Sequence, residues 1–315
     1  MEFIEQQAEL EQLVHDILNE ARQQGADEAE VSVSAEEGLG VSVRKGELET
    51  LEFNQDRGFG ITVQFGQRRG TASTTDSSAT AIRETVTAAK NIARFTEDDP
   101  FCGLADAALM AQQAVDLDMY HPWSLDPDAA QLVAAECESA GLGVDARIVN
   151  SDGAQIGTQQ GIRVYGNSHG FVGSYASTRH SLSCVLIGED QNGMQRDYWY
   201  TVARSADELE SAVRVGQTAG ERTVARLAPE KAPTGTFPIM LAPQLAAGLI
   251  GHLLGAISGG AQYRKASFLL DSMGQQVLPS WLSLQESPLL PRSLGGSYFD
   301  ADGVATRPNR FVDAG

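Results

Sequence analysis

The sequence predicts an α+β protein: a duplicated helix, β-meander, helix unit over residues 1–230, then the start of a β-rich second domain over 237–315. Three observations carry this. Short alternating apolar segments come in runs bracketed by helices, without the strict alternation of a doubly wound sheet. That order occurs twice, over about 5–95 and 122–228. The charge also breaks sharply. Residues 231–315 hold six basic and five acidic residues, a net +1, so residues 1–230 carry −20 against the −19 of the 315-residue chain. The break falls at Pro229-Glu230-Lys231-Ala232-Pro233-Thr234-Gly235-Thr236, a proline-rich linker.

Leu10, Leu13, Val14, Ile17, Leu18 and Ala21 recur at helical spacing, and Gly25 suits the position just past a helix end. Val31–Val33, Val41–Val43, Leu48–Phe53, Gly60–Phe65 and Thr71–Thr74 read as strands of a meander. Asp76 is expected to cap a helix carrying Ile82, Val86, Ala89 and Ala93. An irregular acidic stretch, Glu97 to Leu117, separates the copies. Asp126-Pro127 then opens a helix to about Gly141, as N-cap followed by proline at N1. Strands follow at 147–150, 163–165, 171–177, 181–187 and 196–202. The capping box Ser205-Ala206-Asp207-Glu208 opens a last helix, whose Gly216 and Gly220 would let another element approach closely. Asn54 to Phe59 and Asn167 to Phe171 occupy similar places in the two copies. After the linker, Phe237–Leu241 reads as a strand. Pro243 starts a helix to Ile257 that is apolar on nearly every side and therefore expected to be buried. Tyr298–Thr306 and Arg310–Val312 read as strands with no partner strand after them, so the second domain is expected to be truncated here.

Composition excludes several functions. Hydrophobic content of 42% and charged content of 21% are ordinary for a globular chain. The strong negative charge repels phosphate backbones, which argues against nucleic acid as a partner. The acidic start, Met1-Glu2-Phe3-Ile4-Glu5, lacks the pattern of a signal peptide. The longest apolar stretch, Leu245–Ile257, is too short to span a bilayer, so no membrane role and a cytoplasmic location are expected. Cys102, Cys137 and Cys184 have no metal-ligand spacing and read as reduced thiols.

Candidate chemistry is sparse. Gly166-Asn167-Ser168-His169-Gly170 matches the G-x-S-x-G nucleophile elbow, but that motif needs a following helix. Here Phe171-Val172-Gly173-Ser174-Tyr175 reads as strand, and the hairpin is preferred. The five histidines, His15, His121, His169, His180 and His252, form no pair at metal-binding helical spacing. Ser258-Gly259-Gly260 lacks the following lysine of a phosphate loop.

Four stretches have a further bearing. They are Tyr263-Arg264-Lys265-Ala266-Ser267-Phe268-Leu269-Leu270-Asp271-Ser272-Met273-Gly274, Tyr165 to Gly170, Ser177 to Ser183, and Arg44-Lys45-Gly46-Glu47-Leu48-Glu49 with Phe53-Asn54. In order, and over essentially the whole chain, they resemble the TldD/PmbA family of metallopeptidase subunits. The resemblance implies a heteromer in which a TldD-type zinc subunit carries a helical HExxxH motif and a later cysteine. The corresponding helix here, around Leu249-Ile250-Gly251-His252-Leu253-Leu254-Gly255, has one histidine, and no acidic residue lies between Lys231 and Leu270. Two imidazoles and a carboxylate are needed for that chemistry. No catalytic or metal residue is therefore assigned in this chain, and zinc is expected in the partner. His252, Tyr263, Arg264 and Lys265 are the candidate contacts to partner or substrate. The implied function is cleavage of flexible or unfolded peptides, such as leader-peptide processing and antitoxin degradation, by the pair. A homodimer is the assembly expected of the chain alone. The alternative is a non-enzymatic regulatory binding protein, in line with the family's label of DNA gyrase modulator.

Overall fold

In the computed structural model, which describes residues 3–315, strand β1 (Glu28–Arg44) is the spine of the fold. It pairs antiparallel with β2 (Glu47–Phe65) on one side and β4 (Ile148–Asn167) on the other. Outside β2 lies β3 (Arg68–Thr74). Outside β4 lie β5 (Val172–Asp190) and β6 (Gly193–Ala203). The sheet order is β3-β2-β1-β4-β5-β6. Helices α1 (Gln6–Gln23) and α2 (Ala79–Ala93) bracket the first three strands, and α3 (Pro127–Leu142) and α4 (Ala212–Ala225) bracket the second three.

Side-chain parity puts these four helices on one face of the sheet. Val31 and Val33 of β1 pack with Leu10, Val14 and Ile17 of α1 and Ile82 and Val86 of α2. Val41 and Val43, on the same face by period two, pack with Ala130, Ala134 and Cys137 of α3 and Val215 and Ala219 of α4. Two cores thus sit side by side under one continuous sheet.

The five short strands expected in each copy are three long ones. Alternation lapses mid-strand, at Glu36-Glu37-Gly38 and Glu52 to Asp56, where the helices leave the sheet uncovered. Full exposure of Glu47–Asp56 in β2, and only partial burial of Glu37–Gly40 in β1, remove the pattern that marks a strand. Asn54 to Phe59 and Asn167 to Phe171 are not equivalent: the first is mid-strand in β2, the second holds the β4–β5 turn. The turn matching the second is Lys45-Gly46, where both residues have positive φ (53° and 77°), as a two-residue primed hairpin requires. The buried Glu138 carboxylate of α3 accepts hydrogen bonds from both turn amides, each at 2.8 Å.

Two caps also move. Ser78, not Asp76, caps α2, while Asp76 accepts the Ser78 amide. Ser211 caps α4, and Ala206–Glu208 form a separate 3₁₀ turn. Asp126 caps α3 with Pro127 following it, as read from sequence. A Cβ on Gly216 would overlap the Cys137 carbonyl oxygen, and one on Gly141 would come within 2.8 Å of the Gly216 carbonyl oxygen, so α3 and α4 meet backbone to backbone.

Between the two cores the covered face is polar. His180, fully buried, is held by Thr158 Oγ1 at 2.8 Å and the His121 carbonyl at 2.9 Å, with Trp123 edge-on at 5.5 Å. Burial pushes its imidazole below the ordinary 6.5. Beside it, Tyr120 donates to Gln160, which donates to Glu37.

The chain forms two compact units, 1–229 with 287–307, and 230–286 with 308–315. Segment 287–307, expected in the second domain, belongs to the first. Tyr298 and Phe299 are buried with Tyr165, packed by Phe171 and Tyr175. Arg292 pairs with Asp118 at 2.5 Å and Glu208 at 2.9 Å. Buried Arg204 donates to the carbonyls of Thr178 and Leu294, both at 2.9 Å. The second unit contains helices α5 (Pro243–Ile257) and α6 (Gly259–Tyr263) and a short antiparallel pair, β7 (Leu284–Glu286) with β8 (Asn309–Val312). Phe237–Leu241 forms no strand, and Tyr298–Thr306 holds two isolated bridges, Phe299 with Ala305 and Val304 with Met110. The expected burial of α5 also fails: only Leu253 and Ala256 are buried, while Leu245 and Leu249 are exposed.

Two expectations can be measured. Gly216→Ala should lower unfolding stability by about 1–3 kcal/mol through overpacking, whereas Gly40→Ala, whose Cβ meets nothing within 4 Å, should not. Chemical denaturation of both variants checks this. The unfolded chain takes up the His180 proton more readily, so the stability from this site is complete above about 6.5 and is lost as pH falls through the lower folded value. Between pH 7.5 and 5.5 the wild type should lose more stability than His180→Gln, with a slope difference of at most about 1.4 kcal/mol per pH unit.

Candidate functional site

The helix expected to hold family chemistry is α5. Proline at its first position and Ala242 before it leave it without a side-chain cap. His252 is exposed and lines an open cavity of about 370 Å³ with Gly251, Gly255, Ala256, Ser267 and Phe268. Ser258 caps α6 through the Ala261 amide, and Tyr263, Arg264 and Lys265 follow, all exposed. None of these three lines the cavity of His252. The donor set does not fit zinc, since α5 offers one imidazole and no carboxylate. Among the described residues no three His, Cys, Asp or Glu side chains are placed to hold a metal ion.

Ser168 lies in the β4–β5 hairpin, and strand follows it. Its hydroxyl accepts the Ala29 amide at 3.1 Å, and its own amide donates to the Ala29 carbonyl at 2.8 Å. The serine locks the hairpin onto β1. Its neighbour His169 lies 3.7 Å from Glu28, and His121 lies 3.1 Å from Asp118. Cys137 and Cys184 are buried in the second core, and the Cys184 thiol is pushed well up by the Cys137 contact and by burial. Cys102 is partly exposed, with burial raising its thiol. None of the three is in a disulfide.

Two of the concave surfaces of the first unit lie mid-sheet. On the face opposite the helices, Gly38, Gly40 and Gly157 floor a groove of about 270 Å³ walled by Glu36, Glu52 and Asp56, with Arg179 across it. Gly40 and Gly157 are register partners, so the floor is bare backbone across two strands. On the helix side a second groove of about 260 Å³ is lined by Leu39, Phe53, Pro122, Trp123 and Leu125, with Glu37 and Gln160. Thr158 lines both grooves, and its hydroxyl is engaged by the fully buried His180 imidazole. Both can bind, one through carboxylates and backbone, the other through aromatic and aliphatic surface. The sequence reading missed them because their residues come from four strands and one loop. The available signal was Leu48, Leu51 and Phe53 interleaved with Glu47, Glu49 and Glu52.

Comparison with known proteins agrees with this architecture. Residues 29–93, 120–227 and 234–315 match, in order, domain 1, the central domain and the C-terminal domain described for PmbA/TldA metallopeptidases. Metalloprotease PmbA of Escherichia coli O157:H7 is 47% identical over 290 residues, 92% of this chain and 64% of that protein. The chain thus spans less than two thirds of that relative's length. The Haemophilus influenzae homolog is 45% identical over 310 residues, 98% of this chain and 68% of the homolog. A Bacteroides thetaiotaomicron structure, described as a modulator of DNA gyrase, superposes with a TM-score of 0.92 at 25% identity, covering 98% of this chain and 70% of that one. TldE from Thermococcus kodakarensis shares the fold, with a TM-score of 0.78 at 18% identity, over 96% of this chain and 68% of its own. With three family domains in sequence and near-complete coverage at this identity, the chain belongs to the PmbA/TldD family of metallopeptidases.

Proposed function

We propose that this chain is the zinc-free subunit of a heteromeric metallopeptidase, with the metal held by a TldD-type partner and flexible or unfolded peptides as substrates. The observation that carries the reading is the donor set of α5: one exposed imidazole, His252, and no carboxylate on the helix. A water-activating zinc site needs about three protein ligands and a base. In this reading the chain contributes binding surface, and exposed His252, Tyr263, Arg264 and Lys265 contact the partner or the substrate. The location is the cytoplasm. No helix among the described residues is long and apolar enough to cross a membrane. A regulatory binding protein without peptidase activity is the second reading, favoured by the gyrase-modulator description of the Bacteroides relative.

Purification of the chain alone and with its zinc-bearing partner separates the two. Peptidase activity on an unfolded protein should appear only in the mixture, and metal analysis should find zinc with the partner. About one equivalent of tightly held zinc in the isolated chain, lost on His252→Ala, would overturn the assignment. So would the absence of activity from the reconstituted pair.

A further inference from the structure

Among the described residues, the edge of β2 has no partner strand along Glu47–Asp56. Strand β3 pairs only with Phe59–Phe65, and all ten residues from Glu47 to Asp56 are exposed. This leaves about 33 Å of strand with unpaired backbone groups on one side. Native sheets usually cover or shorten such edges.

The side chains along it are sorted by face. Leu51 and Phe53 are the register partners of Val41 and Leu39, and so share the helix-covered face; Leu48 partners Val43 on the same face. All three are at least 45% exposed. Glu52, Asn54 and Asp56 partner Gly40, Gly38 and Glu36 on the opposite face. The ten residues hold four carboxylates and no basic group. Arg44 approaches one of them, Glu49, at 3.8 Å. A single strand edge therefore offers backbone pairing, an apolar row on one face and an acidic row on the other.

We propose that this edge takes up an extended peptide segment by strand addition, the segment carrying apolar side chains on one face and lysine or arginine on the other. The proposal rests on the peptidase-subunit reading and names the substrate class it would recruit. Backbone pairing supplies sequence-tolerant affinity, and alternate side chains supply selectivity. Cationic residues meet Glu52, Asp56 and the nearby Glu36, and apolar residues meet Leu51 and Phe53.

The test uses the full protein, alone and with its partner, and fluorescein-labelled Lys-Val-Lys-Phe-Lys-Val-Lys read by anisotropy. The double variants Leu51→Ser/Phe53→Ser and Glu52→Lys/Asp56→Lys should each weaken binding about tenfold, as two lost cross-strand contacts of under about 1 kcal/mol each imply. A scrambled peptide of the same composition should bind more weakly. N-methylation of alternate amides should abolish binding in one parity and leave it in the other, because only one set faces β2. Unchanged melting midpoints show that the exposed substitutions spare the fold. The proposal is overturned if both N-methylated peptides bind like the parent, or if both double variants bind undiminished. It is equally overturned if the protein sediments as a dimer that Leu51→Ser/Phe53→Ser splits, which would make a second copy the occupant. Should the pair cleave peptides with a KM that no edge variant alters, the edge inference fails and the subunit assignment stands. Should the pair never cleave, the assignment fails, and the anisotropy series decides the edge by itself.

Discussion

Everything in the first unit depends on the seam between β1 and β4. Their antiparallel register runs from Glu30 opposite Asn167 to Val43 opposite Ala154. It joins the first strand of one helix–meander–helix copy to the first strand of the other. Because the pairing is antiparallel, the copies face in opposite directions along a shared spine, and the strand order reads symmetrically outward from the seam. It also sets one parity for both copies. Val31 and Val33 share a face with Val41 and Val43, so four helices can cover one side of six strands. A slip of one residue would turn one copy's apolar row to solvent.

The cost of this arrangement is a gap where the two cores approach without merging. It is filled by polar side chains whose partners are all supplied locally. His180 is held between Thr158 and the His121 carbonyl, and Gln160 lies between Tyr120 and Glu37. A buried polar group without partners costs a few kcal/mol, so such a set is stable only when complete. The loop before α3 and segment 287–307 close this region. Arg204 is the joint: its guanidinium, deprived of water, is satisfied by backbone carbonyls rather than by a carboxylate. Burial lowers its ordinary basicity, and the carbonyl cage offsets part of that loss.

The same geometry separates binding from chemistry. The sheet provides grooves and a bare edge, made of glycine, carboxylates and a few exposed apolar side chains. Its hydroxyl–base contacts, Thr158 with His180 and Ser174 with Glu11, are hydrogen bonds that tie the sheet to what packs on it. Helix α5 is aliphatic and glycine-rich, with Gln244 and His252 as its polar side chains.

Some of this was legible in the residues alone. The helices α1, α3 and α5 follow from local periodicity and from caps such as Asp126-Pro127, because a helix satisfies its own backbone within four residues. The missing donors of α5 are a matter of composition and needed no coordinates. The family resemblance rested on short motifs, two of which are turns: Lys45-Gly46, anchored by Glu138, and Asn167 to Gly170, anchored by Ser168 on Ala29. Their residues are dictated by φ and by amide hydrogen bonds, which makes them readable. Strand length was not readable, since β2 runs through an acidic stretch exposed on both faces and β1 through one with no fully buried residue from Glu36 to Gly40. Nor was the return of 287–307 to the first unit, nor the free edge of β2. Those depend on which segment lies beside which across 100 or more residues of sequence. Only the tertiary structure decides that, because backbone pairing and burial are satisfied by partners that no local window contains.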